Sequence, residues 1–256
     1  MTTYEVASFN IRLDNPGDGE NRWALRKEHM LRMIRHYRWD VFGLQEVRGN
    51  QLKYLAALED YEVEGISRDH DPDSEHSPVF YNKSVFTKED GGTFWLSETP
   101  EVPSKSWDSA YNRICTWVRL QDTRNGNRIH FVNTHLDHIS EEARYRGALL
   151  ILERVRNLGG NLPVVITGDF NALPDERCYR EITAQLTDTR RAAEAHYGPW
   201  GTFTDFRYDI PWDELIEIDY IFTDKQVKVL KTRTVTDSFD RKYPSDHYPV
   251  TATLEI

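Results

Sequence analysis

The sequence predicts an α/β fold of two packed mixed β-sheets flanked by helices. Strand-like runs recur along the 256 residues, and they alternate with segments of helical periodicity. Hydrophobic residues make up 39% of the chain, aromatic residues 12% and charged residues 29%, a balance typical of a globular protein with a sizeable core. We expect residues 1–256 to form a single domain, since neither a repeat nor a low-complexity linker divides them.

Nine short runs rich in β-branched and aromatic residues predict strands. Several neighbouring runs, such as residues 79–86 and the run after them, have no helical segment between them, which favours mixed sheets over a simple parallel alternation. In chain order the runs cover residues 4–9, 41–45, 79–86, 92–96, 116–120, 129–134, 164–167, 217–222 and 248–255.

Two segments place apolar residues at helical spacing with charged residues between them, and we expect each to form a helix against a sheet. Turn-forming and polar residues predict loops over residues 14–21, 68–77 and 187–211, and a loop as long as the last one usually borders a site. The apolar positions of the helices are Met30, Ile34 and Tyr37, and then Ala143, Gly147, Ile151, Val155 and Leu158.

The formal net charge of −10 argues against a nonspecific nucleic-acid binder, because such proteins draw their affinity from a basic surface. No apolar run approaches the length of a membrane-spanning helix, so we expect no membrane partner. The amino end carries no basic or apolar leader segment, which makes the cytoplasm the expected location. Cys115 and Cys178 lie in segments that would bury them, so we expect two free thiols.

Five short islands of carboxylate, amide and histidine side chains lie at or just beyond the ends of predicted strands. Rigid strands aim such side chains into a shared cleft. Hydrolysis of a phosphoester needs a hard cation held by oxygen ligands, a positioned water, and donors for the charge on the phosphoryl oxygens. Together the islands predict such a site, and they cover residues 8–12, 44–47, 133–138, 168–172 and 243–249.

Glu46 follows an apolar run and is the best candidate metal ligand, and Asn10 adds a neutral carbonyl oxygen. Mg²⁺ or Mn²⁺ suits this oxygen-rich set, whereas a zinc site at His135 and His138 ranks lower. The structural alternatives are a turn residue that caps the first strand at Asn10 and a solvated charge at Glu46.

A glycine allows the chain to turn sharply after the apolar run over residues 164–167, and alternation then places Asp169 and Asn171 on one side. These two side chains can hold one water and one phosphate. The alternative is an ordinary Asp/Asn turn before a helix.

His247 is the candidate general base, because imidazole titrates near neutrality when a carboxylate orients its second nitrogen. Asp219 interrupts an apolar strand and could be that carboxylate, since a buried acid needs a partner. Its alternative is an exposed position of an alternating strand.

His135 is placed to donate a hydrogen bond to a phosphoryl oxygen, and with Asn171 it is a predicted substrate contact. Arg113 and Arg144 are candidate phosphate clamps, with ordinary surface arginines as the alternative. Four tryptophans in loop-like stretches could line a pocket for a sugar or a base, although core packing is the commoner fate of this residue. They are Trp23, Trp107, Trp200 and Trp212.

In this order, the five islands resemble the endonuclease/exonuclease/phosphatase superfamily. The resemblance implies a four-layer α/β/β/α sandwich with the site at one end. It implies metal ligation by Asn10 and Glu46, support for the metal or for His247 by Asp246, and a water and phosphate site at Asp169 and Asn171. By the same resemblance, His135 stabilises the transition state and Asp219 orients His247.

One position departs from the abasic-site nuclease branch of that superfamily, where an acid stands two residues after the first asparagine. This chain has Arg12 there, so DNA repair is not expected. The stretches over residues 22–26, 92–97 and 113–117 are instead similar to a bacterial and fungal branch.

We therefore expect an enzyme that hydrolyses a phosphodiester with a bound metal, and its phosphoester substrate is a small or carbohydrate-linked molecule. A magnesium-dependent endonuclease or exonuclease for DNA or RNA is the alternative. A third hypothesis is a binding protein that kept the fold and lost turnover. Loops around a shared site choose the ligand, so the motifs define the chemistry more closely than the substrate.

Overall fold

A computed structural model describes residues 1–256, which form thirteen strands and five α-helices. No helix is long and apolar enough to cross a membrane. The elements are β1 (Thr3–Asn10), α1 (Trp23–Tyr37), β2 (Val41–Gln45), α2 (Gly49–Leu55), β3 (Tyr61–Glu64), β4 (Val79–Asn82), β5 (Phe86–Trp95), β6 (Ile114–Asp122), β7 (Arg128–His135), α3 (Glu141–Gly159), β8 (Val164–Asp169), α4 (Arg177–Thr183), β9 (Thr187–Asp188), α5 (Thr189–Ala192), β10 (Ala195–Tyr197), β11 (Asp219–Thr223), β12 (Lys228–Thr234) and β13 (Val250–Glu255).

The strands form two mixed sheets, as the sequence predicts. One sheet has seven strands in the order β10-β12-β13-β1-β2-β4-β3, and the other has six in the order β5-β6-β7-β8-β11-β9. The pairs β1–β2 and β7–β8 are parallel, whereas β1–β13 and β8–β11 are antiparallel. The strands that end at Asn10 and Asp169, β1 and β8, therefore each belong to a parallel pair, one in each sheet.

The main core lies between the sheets, and each outer face is covered by helices. Alternate residues of β1 show the division, because Tyr4 and Val6 join a cluster of 18 buried residues drawn from both sheets. Phe9, which points to the other face of β1, packs in a second cluster with Met30 and Ile34 of α1. A third cluster joins α3 and α4 to the six-stranded sheet. The predicted α/β/β/α sandwich is therefore confirmed.

Polar side chains cross the interface between the sheets beside this apolar core. The Asn133 carbonyl oxygen accepts from Gln45 Nε2 at 2.6 Å and from Thr167 Oγ1 at 3.1 Å, while its amide donates to the Leu44 carbonyl at 2.8 Å. Gly43 makes room for this amide, since a Cβ there would lie 2.2 Å from Asn133 Oδ1. The two sheets are thus joined by buried hydrogen bonds close to the candidate site.

The prediction of one strand over residues 79–86 is wrong. The segment contains β4 and the start of β5, which belong to different sheets. Asn82 causes the break, because its side-chain oxygen accepts from the backbone N–H of Ser84 at 2.9 Å and holds a turn. The predicted run over residues 92–96 is the end of β5 rather than a separate strand.

The predicted loop over residues 187–211 contains three short elements, β9, α5 and β10. Asp188 caps α5 by accepting from the backbone N–H of Arg190 at 2.9 Å, and two to four residues per element are too few to show a period. Both cysteines are buried free thiols, as expected.

His130 of β7 is a buried histidine without a hydrogen bond. Its side chain is fully buried, neither ring nitrogen has a partner, and Gly159 of α3 lies against the ring. Burial, together with the charge of Arg119, lowers the pKa of His130 to about 4. Because protonation favours the unfolded chain, the stability that depends on neutral His130 is complete above about pH 6.5 and is lost as the pH falls toward 4.

We expect the His130→Phe variant to lose less stability than the wild type on acidification, by about 2 kcal/mol between pH 7.5 and pH 5. Urea unfolding at both pH values measures the difference. His36→Phe is the matched control, because His36 is exposed on α1. An equal pH response in wild type and His130→Phe would contradict this account.

Candidate active site

The first two site residues follow from the parallel pairing of β1 with β2. Asn10 pairs with Gln45 at the ends of these strands, so Glu46 comes directly after the same edge. The chain turns there with a φ of 61° at Glu46. Asn10 Nδ2 donates to Glu46 Oε1 at 3.1 Å, and the other carboxylate oxygen accepts from the Leu13 N–H at 3.0 Å. The two side chains are held together by hydrogen bonds from the backbone and from each other.

Asp169 comes from the end of β8 in the other sheet. Asn10 Nδ2 also donates to Asp169 Oδ2 at 2.9 Å, which joins the two sheets at the site. The strand register places His135 beside Asp169 on one side and Asp219 beside it on the other. Asn171, with a φ of 47°, donates its backbone N–H to Asp169 Oδ1 at 2.9 Å. Strand pairing therefore explains why these side chains meet.

His247 and Asp219 form a buried pair. His247 Nδ1 lies 2.8 Å from Asp219 Oδ2, and the hydroxyl of Thr202 donates to the same oxygen at 2.5 Å. The second oxygen, Asp219 Oδ1, is buried and has no partner. His247 Nε2 faces Asp169 Oδ2 at 3.9 Å. The imidazole thus lies between two carboxylates and is oriented by one of them.

Burial and crowded negative charge shift the proton affinities of this group. Burial, followed by the charge of Asp219, raises the pKa of Asp169 to about 7. Burial also raises the pKa of Asp246, and the charge of Glu46 adds to the effect. Burial alone would lower the pKa of His247, but Asp219 and the other carboxylates outweigh it and raise the pKa to about 10. The carboxylates of the site therefore carry more negative charge than its cationic side chains neutralise.

His135 is a neutral imidazole on the opposite side of Asp169. Asn171 Nδ2 donates to the Leu136 carbonyl at 3.1 Å and lies 3.0 Å from His135 Nε2. The ring therefore accepts at Nε2 and carries its proton on Nδ1, in the assignment that satisfies both contacts. Burial, with the nearby charges of Arg113 and Arg68, lowers the pKa of His135 well below its usual range.

The donor atoms fit a hard divalent cation. Asp169, Asp219 and His247 each offer a ligand atom within 4.8 Å of the others. The unpartnered Asp219 Oδ1 and the raised pKa of Asp169 are typical of a carboxylate cluster whose negative charge is not neutralised. This cluster is therefore a candidate metal site. The Asn10 carbonyl oxygen, predicted as a ligand, accepts from the Arg12 backbone N–H at 2.9 Å.

The site opens into a cavity of about 650 Å³. Of the two predicted clamps, Arg113 lines this cavity, whereas Arg144 does not. Arg144 instead pairs with Glu176 at 2.6 Å and donates to the Asp137 carbonyl at 3.0 Å. The lining residues are Arg12, Leu13, Glu46, Arg48, Arg68, Glu75, Tyr111, Arg113, His135, His138, Asp169, Asn171, Phe203, Asp205, Ile216, Ile218, Asp246 and His247.

None of the four tryptophans named above lines this cavity. Trp23 is buried in the core cluster under α1, where it packs at a right angle to the ring of Tyr54. Trp200 and Trp212 are about half exposed away from the cavity wall. Tyr111 and Phe203 are the tyrosine and the phenylalanine that line the cavity. Neither belongs to one of the five polar islands, so no sequence pattern identifies them as site residues.

Arg26 fixes the two chain segments that carry Asn10 and His247. This side chain is 4% exposed, and its guanidinium donates to five backbone carbonyls, among them those of Ile11 at 2.5 Å, Arg12 at 2.7 Å and Pro244 at 3.0 Å. In the sequence, Arg26 stands out only as part of residues 22–26, a stretch similar to one branch of the superfamily. Its positioning role could not be inferred there, because carbonyl acceptors leave no pattern in the sequence.

A model of the endonuclease/exonuclease/phosphatase family matches residues 7–247, a span that contains every residue of the site. The chain belongs to the endonuclease/exonuclease/phosphatase family. Membership places it among hydrolases of phosphoester bonds and confirms the resemblance found in the sequence.

Two solved structures of bacterial members of the endonuclease/exonuclease/phosphatase family are very similar. One, an endonuclease/exonuclease/phosphatase from Bacteroides vulgatus, is 37% identical, with a TM-score of 0.96 and coverage of 100% of both chains. The second is a mannosyl-6-phosphatase from Bacteroides thetaiotaomicron, which is 35% identical, with a TM-score of 0.94 and coverage of 99% of this chain and 100% of that one.

Nocturnin from Xenopus laevis is a more distant relative, 26% identical over 209 residues that cover 74% of this chain and 53% of nocturnin. The curated relatives that the chain matches are longer proteins, and the matches cover 33% to 63% of their length.

Replacing Asp219 with asparagine should keep the shape of the His247 pair but remove its charge. We expect kcat for phosphoester hydrolysis to fall about a hundred- to ten-thousand-fold, and the pKa of His247 to fall. Steady-state kinetics and an NMR titration of the His247 ring measure the two effects. Asp224→Asn, just beyond the other end of β11, is the matched control. An unchanged His247 pKa would refute the charge coupling.

Arg144→Gln should lower the free energy of unfolding by about 1–3 kcal/mol, because it leaves Glu176 and the Asp137 carbonyl without a partner. KM should remain within about twofold of wild type, since Arg144 is outside the cavity wall. Arg113→Gln is the comparison variant, and its KM should rise. An equal rise in KM for both variants would show that Arg144 contacts the substrate.

Proposed function

We propose that this chain is a metal-dependent hydrolase of a phosphoester carried by a small or carbohydrate-linked molecule. The observation that carries the proposal is the buried His247–Asp219 pair facing Asp169 at the end of both sheets. A base oriented by one carboxylate and set beside another is an arrangement that activates water. The sequence predicts a phosphodiester as the substrate.

His247 and Asp169 are the groups proposed to accept the proton of the attacking water. Asp219 holds the imidazole at Nδ1, so Nε2 is the nitrogen that faces Asp169. Since His247 Nε2 and Asp169 Oδ2 lie 3.9 Å apart, the charge of each group affects the proton affinity of the other, and the proton is assigned to the pair rather than to one residue. Water gives its oxygen to phosphorus and one proton to this pair, the ester P–O bond breaks, and the leaving oxygen takes up that proton and departs as an alcohol.

Asn171 and His135 are proposed to hold the phosphoryl group. Both line the cavity next to Asp169, and Nδ1–H of neutral His135 is a donor not used by Asn171. A neutral donor stabilises the charge that grows on phosphoryl oxygens without competing with a carboxylate for the cation.

Glu46, Asp246 and Asp169 are the carboxylates proposed to hold the cation, because Asp219 already orients His247, and Asn10 Nδ2 donates to two of them. Mg²⁺ or Mn²⁺ fits these oxygen donors better than zinc. A bound divalent cation supplies Lewis-acid stabilisation of phosphoryl charge. A cation held by these carboxylates would offset part of the negative charge that raises the pKa of His247, while Asp219 would still orient the imidazole.

The cavity wall supports a small substrate rather than a nucleic acid. Four arginines line it. Arg12, Arg68 and Arg113 are each paired with a carboxylate, and Arg48 donates to the Asp73 carbonyl, so most of the positive charge of the wall is offset and the wall is not a continuous basic groove. The likeness to a mannosyl-6-phosphatase supports a carbohydrate-linked phosphoester. A nuclease is the alternative that the sequence raises, and supercoiled plasmid is the substrate that tests for it.

The test compares hydrolysis of p-nitrophenyl phosphate, bis(p-nitrophenyl) phosphate and supercoiled plasmid, with and without Mg²⁺. We expect Mg²⁺-dependent release of nitrophenol and an intact plasmid. His247→Ala should reduce turnover at least about a hundredfold, which also exposes any contaminating enzyme.

Direct metal binding is measured separately by calorimetry with Mn²⁺. Glu46→Gln should weaken this binding, and Glu98→Gln, on an exposed turn, is the control. Plasmid cleavage that is lost in His247→Ala would establish the nuclease instead. Turnover that does not depend on a metal would refute the proposal.

A further inference from the structure

Two arginines pack against one tyrosine at the wall of the cavity. The guanidinium carbon of Arg68 lies 4.7 Å from the centre of the Tyr111 ring, and that of Arg113 lies 5.8 Å from it. His138 stacks on the same ring at 5.8 Å. Tyr111 itself is half exposed, and all four side chains line the cavity that contains His135 and Asp169. One aromatic ring therefore sets the spacing of two positive charges.

Both arginines keep hydrogen-bonding capacity for a ligand. Arg113 is 5% exposed, and its Nε is 3.4 Å from Asp137, whose two oxygens already accept four shorter hydrogen bonds from residues 109–110 and 139–140. Arg68 uses Nη1 for Glu75 at 2.9 Å and holds Asp69 only at 3.5 Å. Each guanidinium has five N–H donors, so several remain.

The backbone around these arginines is held in place by neighbouring side chains. The Trp95 indole N–H donates to the Arg68 carbonyl at 2.7 Å, and the Asn112 amide donates to Asp69 at 2.9 Å. The segment that carries Arg68 is thereby joined to the segment that carries Tyr111 and Arg113. Preorganised charges bind an anion at a lower entropic cost than mobile ones.

We propose that Arg68 and Arg113, spaced by Tyr111, form a subsite that selects a phosphate monoester over a phosphodiester. A monoester carries nearly two negative charges at neutral pH, whereas a diester carries one. Two forked guanidinium groups match three free phosphoryl oxygens, as in other arginine–phosphate contacts. In a diester one of those oxygens carries a second ester group, so the ester offers the two guanidinium groups less negative charge and one free oxygen fewer.

This inference rests on the proposed hydrolase activity and narrows its substrate class. It replaces the diester that the sequence predicts. The reaction remains a simple hydrolysis: water and the monoester yield inorganic phosphate and the free alcohol, and no other reactant is needed. Arg68 is assigned the choice between the two ester classes, because its side chain is more exposed in the cavity than that of Arg113, 11% against 6%.

The experiment measures kcat/KM for p-nitrophenyl phosphate and for bis(p-nitrophenyl) phosphate, which share a leaving group. Arg68→Gln should lower kcat/KM for the monoester about 10- to 100-fold and change that for the diester less than about threefold. Arg68→Lys should recover part of the monoester activity, since it restores the charge without the fork. The matched control is Arg119→Gln, because Arg119 also pairs with an acid and lies over an aromatic ring, but outside the cavity.

Equal losses on both substrates, or a monoester rate that Arg68→Gln leaves unchanged, would overturn the inference. Calorimetry with inorganic phosphate in the presence of Mg²⁺ tests the arginine subsite independently of the proposed hydrolase activity. If the wild type hydrolyses neither substrate, the proposed function fails. Phosphate binding that weakens at least tenfold in Arg68→Gln would still support the subsite, and equal phosphate affinity would refute it. Circular dichroism of each variant verifies that it is folded.

Discussion

The contact between the two sheets at their site end is the constraint on which the rest of the molecule depends. Gly43 lets the side chain of Asn133 enter the interface, and Asn10 reaches across it to Asp169 at 2.9 Å. Polar groups buried in such an interface are costly unless each finds a partner, so only one register of the sheets satisfies them. The apolar core makes the sandwich stable, and these hydrogen bonds determine how the two halves of the site face one another.

That alignment has an electrostatic cost. Strand pairing brings Asp169 beside Asp219, and His247 is held between them, so the folded chain concentrates negative charge in a buried place. The raised pKa of Asp169 is the measure of this conflict. The proposed divalent cation would offset this negative charge, which is why a carboxylate cluster of this kind is a candidate functional site.

The site was more predictable from the sequence than several elements of the fold. Asn10, Glu46 and Asp169 stand out because each ends or directly follows an apolar strand, and His247 because it comes shortly before one; strand ends converge whatever the details of the loops. Two-residue strands and one-turn helices such as β9 and α5 depend on tertiary contacts and leave no periodicity. Arg144 could not be separated from Arg113 by sequence, since both are arginines near a site island and only their partners differ.

The pairing of β1 with β13 places residues 3–8 beside residues 250–255, and Arg26 ties the first of these segments to the turn before His247. Asn10 and His247 are therefore made at widely separated times during synthesis. During translation the edge of β1 that pairs with β13 stays open until β13 emerges. Such long-range pairing slows folding, so the nascent chain has a long period in which it depends on protection from aggregation.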